Sequence, residues 1–109
     1  MQRDRRIRKS QDFIRVKVEG RSWSEHRLVM RAARNHSKIT RYGFVVRKGI
    51  GSAVVRNRLK RCLRAIAQDM PEPGVAWDIV LVVRTGARGS TSNELARSLK
   101  VLLARAGIS

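Results

Sequence analysis

The stretch Gly43–Arg64, GFVVRKGIGSAVVRNRLKRCLR, decides how the rest of the chain is read. Phe44, Val45 and Val46 are aromatic or β-branched and suit a pleated, half-buried strand. Gly49-Ile50-Gly51 follows, a turn in which two glycines permit positive φ. Ser52 stands where an N-cap belongs, because its hydroxyl can accept from a free N–H of a first helical turn. Val55, Leu59, Cys62, Leu63 and Ile66 then recur at helical spacing and predict one core-facing stripe. The other face is cationic: Arg56, Lys60 and Arg64 follow at i, i+4 and i+8, with Arg58 and Arg61 beside them. Like charges at that spacing cost a few tenths of a kcal/mol per pair. A polyanion laid across the face would offset that cost, since guanidinium forks match phosphate oxygens in pairs. Asn57, among the cations, can donate to and accept from a base or sugar edge. The plainer alternative is a solvated basic face. With no glutamate interleaved among the cations, binding is the better reading.

The whole chain carries the same bias. Its 109 residues suit a single domain, and a 42% hydrophobic content supplies one modest core. Lys and Arg number 25 against 8 Asp and Glu, a net charge of +17 that favours an anionic partner, nucleic acid first and an acidic membrane surface second. No apolar run approaches the roughly 18 residues needed to span a bilayer. Met1–Arg6 is basic but no apolar segment follows, so no secretory signal is expected. The lone Cys62 suits a reducing cytoplasm.

Outward from the central stretch, residues 1–9 read as a basic, mobile arm. Ser10 is placed to cap a short helix over Gln11–Glu19, with Gly20 as its C-terminal glycine. Phe13, Ile14 and Val16 would pack that helix on the body. Arg21–Ser24 is a short edge strand. His26–Ala33 alternates, Leu28 and Met30 on one side and Arg27, Val29 and Arg31 on the other. Asn35-His36-Ser37 is a turn, and Ile39–Arg47 is a strand expected to run antiparallel to the preceding one. Beyond the cationic helix, Met70–Gly74 breaks the chain. Trp77–Arg84, WDIVLVVR, reads as a central strand buried on both faces. Gly86–Ser92 is a small-residue loop, the expected flexible segment. Thr91 and Glu94 form a capping box for a last helix, with Leu95, Leu99, Leu102, Leu103 and Ala106 inward and Gly107 at its end. The order is αβββαβα, a two-layer α/β sandwich of three helices on a small mixed four-stranded sheet.

Catalytic chemistry finds little support. Gly49-Ile50-Gly51-Ser52-Ala53-Val54 has two glycines of a dinucleotide fingerprint but Val54 at the third, and no acidic residue follows at the required strand end. The eight carboxylates are scattered; Asp12, which could cap its own helix, and Asp78, which opens a strand, read as structural. His26, His36 and Cys62 have no zinc-ligand spacing, and Cys62 on the apolar stripe behaves as a small core hydrophobe. No nucleophile elbow is present. The expectation is a protein with no catalytic side chain and no metal site of its own. Among the aromatics, Phe44 and Trp77 read as core; Phe13, between Asp12 and the basic side, and Trp23 admit either a packing or a base-stacking role.

The run Ala53–Arg61, AVVRNRLKR, after Gly43–Val46 and the Gly49–Gly51 turn, resembles the arginine-asparagine-arginine signature of the bacterial ribonuclease P protein family. The resemblance extends to Arg6–Lys9, Asp12-Phe13, Gly20 and Asp78–Val80 through Arg84, and only loosely to the last helix. It implies a sandwich with a left-handed βαβ crossover, against the usual right-handed rule. It implies a protein subunit of a ribonucleoprotein whose catalytic RNA removes the 5′ leader of precursor tRNA, with magnesium ions held by RNA and substrate. By position, Lys48, Arg56, Asn57, Arg58, Lys60, Arg61 and Arg64 would meet the catalytic RNA. Phe13, Lys17, Arg27, Val29 and Arg31 would line a cleft for the leader. The implied partners are thus ribonuclease P RNA and precursor tRNA, with no membrane and no protein partner. Lys17 replaces a common aromatic, Arg31 a common Tyr, and Arg47 and Gly49 a common Ser and Lys, which implies a more electrostatic, less sequence-sensitive grip. The alternative is a ribosome-associated RNA-binding protein with no part in cleavage.

Overall fold

The sheet is built around the most apolar segment of the chain. In the computed structural model, which describes residues 1–109, β4 (Trp77–Val83) is buried from Asp78 onward. It lies between β2 (Leu28–Arg34), antiparallel to it, and β3 (Arg41–Val45), parallel to it. β1 (Arg21–Ser24) pairs antiparallel with β2, giving the strand order β1-β2-β4-β3. β3 does run opposite to β2, as expected, but β4 is inserted between them, a long-range pairing that no local pattern encodes.

Because side chains alternate along each strand, the sheet has two faces of unequal size. Leu28, Met30, Ala32, Tyr42, Ile79, Leu81 and Val83 join the larger core, covered by α2 (Ala53–Asp69) and α3 (Ser92–Ala106). α2 contributes Leu59, Leu63, Ile66 and Ala67, and the large side chains among them stabilise by roughly 1.5–3 kcal/mol each on burial. The other face carries a smaller cluster of Ile7, Val16, Ala33, Val80 and Val82, covered only in part by α1 (Ser10–Glu19). Cys62 and Phe44 sit at the rim of the larger core, half-buried.

α1 is held down by charge rather than by its few apolar contacts. The Asp78 carboxylate, with no exposed side-chain surface, accepts from Arg41 Nε at 2.9 Å, Arg41 Nη2 at 2.7 Å, Asn35 Nδ2 at 2.9 Å and Arg15 Nη2 of α1. Burial pushes this carboxyl up; the Arg41 fork, Asn35 and the charges of Arg41 and Arg15 together outweigh it and hold it below the usual carboxylate value. Asp12 of α1 completes the clamp, 3.7 Å from Arg41 Nη1, and does not cap its own helix.

Local expectations divide on physical grounds. The Ser52 cap is present, its Oγ accepting from Val55 N–H at 3.3 Å, as are the Thr91–Glu94 capping box and the left-handed Gly107. Ser10 is already inside α1, and Lys9 at the N-cap has no side-chain hydrogen bond. Gly20 is extended, not left-handed; it is needed because a Cβ there would stand 2.5 Å from Val16 O and 2.6 Å from Ala32 O. Neither Gly49 nor Gly51 is left-handed: Gly49 lies in a 3-10 segment over Lys48–Ile50, and Gly51 after it is extended. The 86–92 loop, expected to be flexible, is tied in by a 3-10 turn at Thr85–Ala87, by buried Ala87 and Ser90, and by bonds to Ser90 from Arg27 and Arg58. The N-terminal arm is docked as well: Ile7 is buried, its N–H donates to Tyr42 O at 2.9 Å, and Arg6 bridges to Tyr42 along the otherwise open edge of β3.

Candidate nucleic-acid interface

The cationic face of α2 is a consequence of its packing. Once Leu59, Leu63, Ile66 and Ala67 point into the core, Arg56, Asn57, Lys60, Arg61 and Arg64 are left on the outer side. None of them, nor Lys48 on the preceding turn, lies within ion-pair distance of a carboxylate; only Arg15, Arg27 and Arg41 do. The first turn of α2 holds no acidic residue, so the positive end of its dipole adds to the charge. Val54, Asn57, Lys60, Arg61 and Arg64 border one open concavity of about 420 Å³.

Two signature arginines are partly committed to the scaffold. Arg58 donates from Nη2 to Ser90 O at 3.2 Å and thereby braces the 86–92 loop. Arg56 donates from Nε to Gly51 O at 3.2 Å, which fixes the base of its side chain and leaves its terminal nitrogens without a protein acceptor.

On the opposite face of the sheet, Phe13 lies against Gly43 so closely that a Cβ at Gly43 would stand 2.6 Å from Phe13 Cε1. The ring is half-buried and packs against the smaller cluster of the sheet. Val29 and Arg31 project from β2 on this same face and are partly exposed, and Lys17 is exposed on α1. Val29 continues into a groove of about 440 Å³ with Val82, Arg47, Gly49 and Arg84. Arg27 does not join this set. The strand begins only at Leu28, and Arg27 is drawn toward α3, donating to Glu94 Oε2 at 2.9 Å and Ser90 Oγ at 3.0 Å.

Sequence reasoning missed the part played by the arm. Arg6 and Arg8 share a cleft of about 230 Å³ with Phe13, Tyr42, Phe44, Lys60 and Arg64 at the β3 edge. The cationic face of α2 and the Phe13 side of the sheet are therefore joined around that edge. The signal was present in Arg6-Ile7-Arg8, one apolar residue between two cations, the alternation of a strand. No three of the His, Cys, Asp and Glu side chains converge as metal ligands, and no helix is long and apolar enough to cross a membrane.

Comparisons with known proteins agree with this geometry. A family described as Ribonuclease P matches residues 1–107. The ribonuclease P protein component of Herpetosiphon aurantiacus is 39% identical over 109 residues, covering 97% of this chain and 87% of that one. That of Roseiflexus castenholzii is 37% identical over 110 residues, covering 99% and 90%. Among solved structures, a Staphylococcus aureus RNase P protein mutant with defective mRNA degradation activity superposes with a TM-score of 0.89 at 30% identity, covering 97% of this chain and 91% of that chain. The RNase P protein from Thermotoga maritima superposes with a TM-score of 0.80 at 29% identity, covering 92% and 96%. With the signature helix, the four-stranded mixed sheet and nearly the full length all matched, the chain belongs to the ribonuclease P protein family.

Proposed function

We propose that this chain is the protein subunit of a ribonuclease P ribonucleoprotein that removes the 5′ leader of precursor tRNA in the cytoplasm. Lys48, Arg56, Asn57, Lys60, Arg61 and Arg64 meet the catalytic RNA, with Arg58 bracing the loop beneath them. Phe13, Lys17, Val29 and Arg31 hold the single-stranded leader, with Arg47 and Arg84 farther along the same groove. The observation that carries the reading is the α2 face, whose cations have no carboxylate partner in the fold.

The division of labour follows from charge. Catalytic RNA and substrate are both polyanions; the ridge lowers their repulsion, and the cleft fixes the direction in which the leader leaves the cleavage site. If Lys48, Arg56, Lys60, Arg61 and Arg64 each neutralise one phosphate, log K falls with log salt at a slope of about −3.5 to −4.5. Magnesium ions held by RNA and substrate supply the Lewis-acid chemistry when bound. The protein's own residues bind and orient. With one aromatic ring in the cleft and cations around it, leader binding discriminates weakly between purines and pyrimidines.

The test is precursor-tRNA cleavage by the cognate RNA at low magnesium, with and without the protein. Stimulation that fades as magnesium is raised supports the reading. Binding without stimulation, or recovery of ribosomal RNA rather than ribonuclease P RNA with the protein from cells, supports a ribosome-associated role instead. Cleavage by the RNA-free protein refutes the assignment of chemistry to the RNA.

A further inference from the structure

α3 does not cover the whole of the larger sheet face. It ends at Ala106, where left-handed Gly107 turns the chain away, and one corner of the sheet lies beyond it. Strand register places Arg21 and Trp23 of β1, Ala32 and Arg34 of β2 and Trp77 of β4 on that side of the sheet, Arg21 opposite Ala32 and Arg34 opposite Trp77. They surround a concavity of about 270 Å³ rimmed by Glu19 and Ala106. Both indoles are half-buried, seated on the core with part of each ring open. The Arg34 guanidinium lies over the Trp77 ring, 5.6 Å from its centroid.

We propose that this corner is a further RNA-binding surface, beside the α2 ridge and the leader cleft, and that it takes an unpaired base. A base can stack on the outer face of the Arg34 guanidinium or on the open part of the Trp23 ring, while Arg21 reaches a flanking phosphate. Guanidinium planes and indoles are the surfaces on which splayed-out bases stack, and a base without sequence constraint needs no more than a flat partner and a nearby cation. Charge selects the partner. Arg21 and Arg34 have no carboxylate within ion-pair distance, and Glu19, the one acid at the rim, is 4.0 Å from Arg15. The corner is distinct from the α2 ridge. Trp77 opens β4, whereas the Lys48 turn follows the far end of β3, which runs parallel to β4.

The chain's two tryptophans both stand in this corner, so tryptophan emission, excited beyond the absorption of Tyr42, reports on it alone. The full-length protein is titrated with end-labelled oligoadenylate of about ten nucleotides, and separately with heparin, which has the charge but no bases. Saturable quenching by oligoadenylate and none by bound heparin is the expected result. Arg21→Gln, at an exposed position, raises the quenching midpoint about fivefold. Lys100→Gln, at an exposed position of α3 outside this corner, leaves that midpoint within twofold. Binding of the labelled oligonucleotide with unchanged emission, equal quenching by heparin, or an unmoved midpoint in Arg21→Gln overturns the proposal.

Discussion

Replacing Asp78 by Ala removes the one acceptor on which α1, β3 and the turn at Asn35 converge. Two bonds from Arg41, one from Arg15 and one from Asn35 are lost together. Deleting one partner of a buried ion pair costs about 3–5 kcal/mol, because the remaining charge is left uncompensated. Here the Arg15 and Arg41 side chains keep 31% and 28% of their surface, so water recovers part of that loss. The expected cost is therefore about 2–4 kcal/mol. At about 4 °C per kcal/mol for a domain of this size, Tm falls by roughly 8–16 °C. The pH dependence supplies an independent sign. The carboxyl is held below its unfolded value of 3.8, so its contribution is complete above that value and disappears as pH falls through the lower, folded value. Wild type and Asp78→Ala should thus differ fully at pH 6 and converge in acid. Urea denaturation of both proteins across that range measures the difference. A cost below about 1 kcal/mol at pH 6, or a gap that widens in acid, would refute the view that this carboxylate clamps α1 to the sheet.

Arg61→Gln should flatten the salt slope of RNA binding by about one unit with stability unchanged, whereas Arg58→Gln, which releases Ser90 O, should also destabilise by about 1 kcal/mol; filter binding across salt and thermal melts separate the two. Gly43→Ala places a Cβ against Phe13, and the displaced ring should cost about 1–3 kcal/mol and weaken leader binding more than binding of the catalytic RNA. Tyr42, the one tyrosine, should titrate near pH 12 rather than 10 in the folded protein: burial raises it, Glu72 adds to this and Arg5 opposes it. Its unfolded form ionises first, so stability should fall between those values; a phenolate absorbance midpoint near 10 in still-folded protein contradicts the burial.

Much of this fold was legible because its signals are local. The Ser52 cap, the Thr91–Glu94 box, the apolar stripe of α2 and the all-apolar β4 each declare themselves within a few residues. What escaped was long-range. Asp78 was legible as structural, but its partners come from residues 15, 35 and 41, far away in sequence. Arg27 shares the parity of Val29 and Arg31, yet it lies just before the strand, where the capping-box carboxylate captures it. Gly20 was legible as a required glycine for the wrong reason, since the constraint is carbonyl crowding across the chain and not backbone handedness. The arm looked unstructured because a single isoleucine among cations is a weak signal until an unoccupied strand edge is there to receive it.

The position of β4 has a consequence for how the protein comes to exist. The strand at the middle of the sheet is the last one synthesised, after α2. Until it emerges from the ribosome, β2 and β3 have no partner between them, and the hairpin of β1 and β2 is the only native strand pair of the sheet that can form. The arginine-rich helix is therefore translated before its own support is complete, beside a machine made largely of RNA. Closing so distant a pairing is slow compared with helix formation. The interval between the two is when this chain is most exposed to capture by the wrong nucleic acid.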